Sequence, residues 1–244
     1  MQIAGFAAGG VLVVLISPRG ALVTGAALMF AAALIVRLGL RARPARASGP
    51  ASVVTTWRVN RNLLKDPSRR AVYLAMWVPN GLVVGCEALF VPYARDRAAV
   101  LFVAAAAGML CGDVAAGRFL APASRTRSVR PLRYLLAAPY LLFVIPLPLP
   151  IAAVAVAVAS VGYAASLLLQ ERLIALTGDD VRGQALGLAS AGMMAMQAVG
   201  AVAAGLIAEF LTAGAAITVM AIASLIVTAV LGPGLRLSSQ TVGR

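Results

Sequence analysis

The chain has 244 residues, of which 61% are hydrophobic and only 12% are charged, yet it carries a formal net charge of +13. A soluble domain of this length is about a quarter charged and about half apolar, so the composition excludes an ordinary water-soluble fold. The fold class it indicates is all-α, a bundle of membrane-spanning helices. The positive charge would also fit nucleic-acid binding, which requires the basic side chains to gather on one soluble surface. Their positions along the chain distinguish the two.

Eight apolar runs are long enough, or nearly so, to cross a hydrocarbon core about 30 Å thick. They lie at 2–17, 20–37, 71–92, 98–119, 132–147, 151–170, 184–208 and 213–231. Unpaired backbone groups are costly in lipid, so runs this rich in Ala, Leu and Val are predicted to be helices. The sequence therefore predicts a polytopic bundle of about eight transmembrane helices.

The positions of the basic residues predict the topology. All but three of the 21 Lys and Arg residues fall in alternate connections or in the C-terminal tail, the exceptions being Arg19, Arg95 and Arg97. The positive-inside rule places that majority in the cytoplasm, with both termini on the cytoplasmic side of the cell (inner) membrane. Because topology accounts for the charge, nucleic acid is not expected as a partner. No Lys or Arg precedes the first run, so a cleaved secretory signal is not expected.

One long polar segment divides the chain. Two transmembrane helices are predicted in 1–37, a basic cytoplasmic linker in 38–70, six transmembrane helices in 71–232 and a cytoplasmic tail in 233–244. Apolar and basic side chains are interspersed in the linker: Trp57, Leu63 and Leu64 with Arg58, Arg61 and Lys65. This pattern suits a short helix at the level of the lipid headgroups, or a solvated basic segment with one anchoring Trp.

Several classes of enzyme are excluded by what the sequence lacks. It contains no histidine, which excludes His-ligated zinc sites and catalytic triads with a histidine base. Cys86 and Cys111 lie inside apolar runs and form no C-x-x-C pair. No phosphate-cradling loop or paired-carboxylate motif is recognisable, so we expect neither an enzyme activity nor a cofactor or metal.

Glu87 is the acidic residue that lies deepest in an apolar run. An ionisable group at depth in lipid is costly and marks a functional candidate. Asn80, seven residues earlier, falls within about 20° of Glu87 on the same helix face. Gly81 and Gly85 lie on another face, with a spacing that permits close helix contact. Glu87 either forms a hydrogen bond with a neighbouring helix or reaches the outer surface, or else it senses a proton or cation.

Two later runs carry periodic patterns. The sixth run has a polar stripe at helical spacing, formed by Ser160, Tyr163, Ser166 and Gln170. Such a stripe lines an aqueous path or forms hydrogen bonds with adjacent helices. The seventh run has small residues at about the helical period, namely Gly183, Gly187, Ala191, Ala195, Ala198, Ala201 and Gly205, with Gln197 at their flank. This spacing predicts a helix-packing seam.

Several segments share the pattern of one family of membrane transporters. They are Gly5 with Gly9-Gly10 and Ser17 to Leu22; Arg182 to Leu188, leading through Gly192, Gln197 and Gly200 to Gly205; and Gly108 to Asp113 with Gly117 and Arg118. In this order they resemble the fifth helix, tight outer turn and sixth helix, the eleventh helix, and the cytoplasmic-loop motif of the major facilitator superfamily, especially its multidrug-efflux-like branch. In the last motif the Asp-to-Gly spacing is four instead of three. The linker 38–70 resembles that family's central cytoplasmic loop.

The resemblance implies proton-coupled, secondary-active efflux of a small amphiphilic molecule by alternating access. The pathway for substrate or protons is then expected along Glu87, Asn80, Tyr163, Ser166, Gln170 and Gln197. A cytoplasmic gating loop is expected at Gly112, Asp113, Gly117 and Arg118. Members of that family have twelve spans, four more than the sequence predicts here. The alternative is a truncated membrane protein that does not transport, or one that needs a membrane partner to supply the missing helices.

Overall fold

The computed structural model describes residues 16–39 and 52–242, and within these ranges every regular element is a helix. The α-helices are α1 (Pro18–Gly39), α2 (Val53–Lys65), α3 (Pro67–Ala88), α4 (Phe90–Ala94), α5 (Ala98–Arg118), α6 (Pro122–Ala137), α7 (Leu149–Val161), α8 (Ala164–Ala175), α9 (Arg182–Ala208) and α10 (Ala213–Val242). Two 3-10 helices span Arg95–Arg97 and Ala138–Val144. The all-α prediction is confirmed for the described ranges.

Several of these helices are long and apolar enough to cross a membrane. The five candidate stretches are Leu22–Gly39, Pro67–Arg118, Leu149–Ala175, Arg182–Ala208 and Ala213–Leu235. The chain is therefore a helical membrane protein. Pro67–Arg118 is 52 residues long and contains both α3 and α5, which match the third and fourth predicted runs.

Two of the predicted runs do not match any of these candidate membrane-spanning stretches, which were found among the described residues. The fifth, 132–147, is divided between two elements. Residues 132–137 form the end of α6, which begins ten residues earlier in a basic segment, and the 3-10 helix Ala138–Val144 follows. The first, 2–17, lies almost entirely outside the described residues. The total of eight spans stays a prediction.

The chain forms two units, Met1–Pro50 and Ala51–Arg244. In the first unit, α1 covers the second predicted run. The second unit takes up part of the predicted linker, since residues 53–65 are helical. Asp66 then caps α3 by accepting hydrogen bonds from the backbone amides of Ser68 (2.8 Å) and Arg69 (3.1 Å). The cap explains why α3 begins four residues before the predicted position 71.

The predicted end of the last transmembrane helix also differs from the structure. The run was expected to end near residue 232, where Pro233 follows Gly232, but α10 continues to Val242. A proline removes one helical hydrogen bond and kinks or breaks most helices, and here the helix passes through it. Residues 233–242 are therefore helical.

Helix α3 lies at the centre of the second unit, where it packs mainly against α9 and α10. Gly85 lies on the contact with α9, since a Cβ there would be 2.6 Å from the carbonyl oxygen of Gly200. Two side chains of α3 also bond to backbone carbonyls of α9: the Tyr73 hydroxyl donates to Ala185 (3.2 Å) and the Trp77 indole donates to Ala189 (2.9 Å). This contact fixes the rotation of α3 within the bundle.

The remaining helices pack around α6 and α7. Gly108 and Gly112 of α5 lie directly against backbone carbonyls of α7, so neither position has room for a side chain. Two apolar clusters form the core: one contains Phe90, Leu101, Leu136, Tyr140 and Phe143, and the other contains Leu63, Tyr73, Val129, Leu169 and Leu173. Because α6 contributes to both clusters, the residues between Val129 and Leu136 lie at the junction of the two.

Candidate functional site

The sixth predicted run is broken in its middle. Helix α7 ends at Val161 and α8 begins at Ala164, with Gly162 and Tyr163 between them. Gly162 lies against the backbone of α6, where a Cβ would be 2.5 Å from the Leu132 carbonyl oxygen and 2.5 Å from the Leu136 nitrogen. Only glycine fits there, so the break brings the polar stripe of this segment close to α6.

Glu87 forms a hydrogen bond with Tyr163, which lies in this break. The Tyr163 hydroxyl donates a hydrogen bond of 2.9 Å to Glu87 Oε1, joining residues 76 positions apart. Their neighbours belong to the apolar cluster that contains Phe90 and Tyr140. The ion pairs found in residues 16–39 and 52–242 involve other acids: Asp66 with Arg69, Glu171 with Arg125, and Asp179 with Arg182. In this part of the chain the carboxyl group of Glu87 thus has a neutral partner and no cation.

A tyrosine hydroxyl suits a carboxyl group that changes protonation. It donates to an ionised carboxylate, and it can also accept from a protonated carboxylic acid. The hydrogen bond between Glu87 and Tyr163 can therefore persist in both states without a large movement of either side chain. A cationic partner would instead hold the carboxyl group ionised.

A second ionisable residue, Arg133 of α6, contacts the first turn of α8, just after the break. Arg133 is 1% exposed, and its Nη2 donates to Ser166 Oγ at 3.3 Å. Charge sorting counted Arg133 with a connection, whereas the structure places it inside α6, which begins at Pro122 and buries it. Arg133 lies eleven residues further on, about 16 Å along the helix axis. The side of the membrane stays a prediction. The sequence did hold a signal: Arg127, Arg130 and Arg133 follow each other at steps of three on one helix.

The other predicted pathway residues take no part in these two contacts. Asn80 is buried in α3, and its Nδ2 meets no acceptor within the described ranges. Gln170 is exposed on α8, and Gln197 is partly exposed on α9. The structure therefore brings Glu87 to Tyr163 and Arg133 to Ser166, and it leaves the two glutamines apart from both.

The predicted gating loop is helical. Gly112, Asp113, Gly117 and Arg118 all lie in the last two turns of α5. Gly112 is buried against Val161, whereas the other three are exposed. The four residues belong to the helix predicted for the fourth apolar run, 98–119, and not to a loop, because the segment is rich in alanine, which favours helix. Their gating role stays a prediction. The connection itself is only the three residues 119–121.

The close-packed face of α9 differs from the predicted seam. A Cβ at Gly183, Gly187 or Gly205 would meet nothing within 4 Å. The buried small residues of α9 are Ala185, Ala189, Gly200 and Ala204. Both stripes have nearly the helical period, and periodicity gives the spacing of a stripe but not which of two parallel stripes faces a neighbour.

No protein-family model matches this chain, and no curated protein sequence does either. A functional proposal therefore rests on the arrangement of the residues themselves.

Proposed function

We propose that this chain is a secondary-active transporter of the cell inner membrane, which exports a small amphiphilic molecule by alternating access coupled to protons. The observation that carries the proposal is the hydrogen bond between Glu87 and Tyr163 at the break between α7 and α8. Transporters commonly build their sites at interrupted helices near the middle of the bilayer. An acidic group held there by a neutral partner is suited to take up and release a proton.

The resemblance to the major facilitator superfamily supports this proposal. The segment from Arg182 to Gly205, which carries the most specific part of the resemblance, forms a single helix, α9. That helix packs directly against α3, which bears Glu87. The distribution of basic residues supports the orientation, with both termini in the cytoplasm.

Coupling would follow from the cost of charge in an apolar cluster. A protonated Glu87 is neutral and fits the closed packing of α3 against the α7–α8 break, whereas an ionised Glu87 favours a state in which water reaches it. The two protonation states thus favour different conformations, which is the requirement for a proton to drive a conformational change.

The test is the substitution Glu87→Gln in proteoliposomes that contain a pH-sensitive dye, with ethidium as the transported probe. We expect substrate-coupled proton movement to be abolished, because the amide cannot exchange a proton. The matched control is Glu209→Gln, which changes an exposed acid at the end of α9 and is expected to keep coupling intact.

Undiminished coupling in Glu87→Gln would remove this residue from the mechanism. If the unaltered chain moves neither protons nor probe, the alternative is favoured, a membrane protein that does not transport by itself.

A further inference from the structure

A small cavity lies between α3, α6 and α10, apart from the Glu87 carboxyl group. It is lined by Ala75, Pro79, Arg130, Arg133, Thr228, Leu231 and Leu235. Its space of about 10 Å³ is enough for one water-sized group. Three of the lining residues are aliphatic and one is a proline, so the polar character of the cavity comes from the two arginines and the threonine.

Hydrogen-bond donors from all three polar residues are unused. Arg133 Nε and Nη1, Arg130 Nε and Thr228 Oγ1 are buried and have no hydrogen-bond partner in residues 16–39 and 52–242. Arg130 lies over Gly232, where a Cβ would be 3.5 Å from its Nε. Buried polar atoms are nearly always satisfied in native proteins, so four unused donors lining one cavity indicate a missing acceptor.

Within residues 16–39 and 52–242, no carboxylate forms an ion pair with either of these two arginines. All eight acidic side chains of the sequence lie in these ranges, and the ion pairs found there involve Arg69, Arg125 and Arg182. The guanidinium group of Arg133, which is 1% exposed, is therefore a buried charge with no counter-charge in this part of the chain, and Arg130 beside it is partly exposed. Buried charges without a counter-charge are strongly unfavourable, so an anion in the cavity would stabilise the fold.

We propose that Arg130, Arg133 and Thr228 form a binding site for a compact anion. Guanidinium groups are the preferred partners of phosphate and carboxylate oxygens, and the hydroxyl adds one more donor. The cavity has room for a single oxygen of an oxyanion, and a chloride ion, which is somewhat larger than water, fits after a small shift of the arginine side chains. The site stands on its own observations, whether or not the chain transports anything.

The anion can come from two sources. Free chloride is one, and the phosphate group of an anionic lipid is the other. The cavity extends from the middle of α3, at Ala75 and Pro79, to Leu235, whose neighbour Gly234 lies against Ala71 near the start of α3. Charge sorting predicts that end of α3 to be cytoplasmic. Basic pockets between helices on that side of a membrane bind anionic headgroups.

The test measures the thermal unfolding midpoint of the purified full chain in detergent. One arm titrates sodium chloride against sodium gluconate at constant ionic strength, since chloride can enter the cavity whole whereas gluconate can place no more than one carboxylate oxygen in it. The other arm adds phosphatidylglycerol, with phosphatidylcholine as the neutral comparison. A saturable rise with chloride alone identifies a free anion as the ligand, and a rise with phosphatidylglycerol alone identifies the lipid phosphate.

Three variants decide whether the effect belongs to this cavity. Arg130→Gln and Arg133→Gln each remove one charged donor group and are expected to weaken binding at least about tenfold. Arg127→Gln changes an exposed arginine of the same helix and is expected to leave the affinity unchanged. If Arg133→Gln does not fold, Thr228→Val removes a donor of the same site without changing its charge.

The proposal is overturned if neither chloride nor phosphatidylglycerol gives a saturable shift. It is also overturned if Arg127→Gln weakens the binding as much as Arg130→Gln does, because the effect would then be a general response to surface charge.

Discussion

Glu87 and Arg133 differ in how many of their polar atoms have hydrogen-bond partners. Glu87 contacts Tyr163 in the break between α7 and α8 at 2.9 Å, and Arg133 contacts Ser166 in the first turn of α8 at 3.3 Å. A carboxyl group is small, and one hydroxyl can form a hydrogen bond with it in either protonation state. A guanidinium group has a planar set of donors, and Arg133 keeps two nitrogens without a partner in the described ranges. Glu87 is thus suited to a change of charge and Arg133 to holding a ligand.

The largest expected effect concerns the packing that holds Glu87 in place. A Cβ at Gly200 would overlap the carbonyl group of Gly81. Gly200 and Gly81 both lie in helices, so neither backbone can move away without disturbing its helix. We expect Gly200→Ala to lower the free energy of unfolding by about 3 kcal/mol, at the upper end for overpacking. The measurement is unfolding in detergent.

The control for this prediction is Gly205→Ala on the same helix, where a Cβ would meet nothing within 4 Å. Because alanine favours helix over glycine by about 0.5–1 kcal/mol, this variant should be equally stable or slightly more stable. Equal losses in both variants would mean that α9 does not approach α3 at Gly200.

An intermediate effect is expected at the hydrogen bond itself. Tyr163→Phe removes the donor to Glu87 and should lower the free energy of unfolding by about 1–2 kcal/mol, since the carboxyl group is left without its partner. Tyr134→Phe is the matched control, because the hydroxyl of Tyr134 forms no hydrogen bond in the described ranges. A loss no larger than that of the control would mean that the Tyr163 hydroxyl does not stabilise the carboxyl group.

The smallest effect is expected at Arg133. Replacing a poorly satisfied buried charge by an apolar side chain of similar length is often neutral or stabilising. In chloride-free buffer without lipid, Arg133→Met should therefore change the free energy of unfolding by no more than about 1 kcal/mol, or increase it. A loss greater than that of Tyr163→Phe would contradict the contrast between the two residues, because the guanidinium group would then be well satisfied.

Part of this site could be predicted from the sequence. Glu87 was singled out by its depth in an apolar run, and Tyr163 and Ser166 by their helical spacing. The contact between Glu87 and Tyr163 could not be predicted, because the two residues are 76 positions apart and meet only through the packing of separate helices. Arg133 was missed since the basic segment before it was expected to be a loop, whereas Pro122 begins a helix there.

By itself the sequence determined the class of the protein and most of its long helices. Apolar runs of spanning length are a local property, and α1, α3, α5, α9 and α10 each match one of them. Tertiary structure alone decided which stripe of α9 faces α3, that the sixth run breaks at Gly162, and that Arg133 is buried with unused donors. The physical reason is that hydropathy and periodicity describe one helix at a time, whereas a partner depends on the rotation and the distance between two.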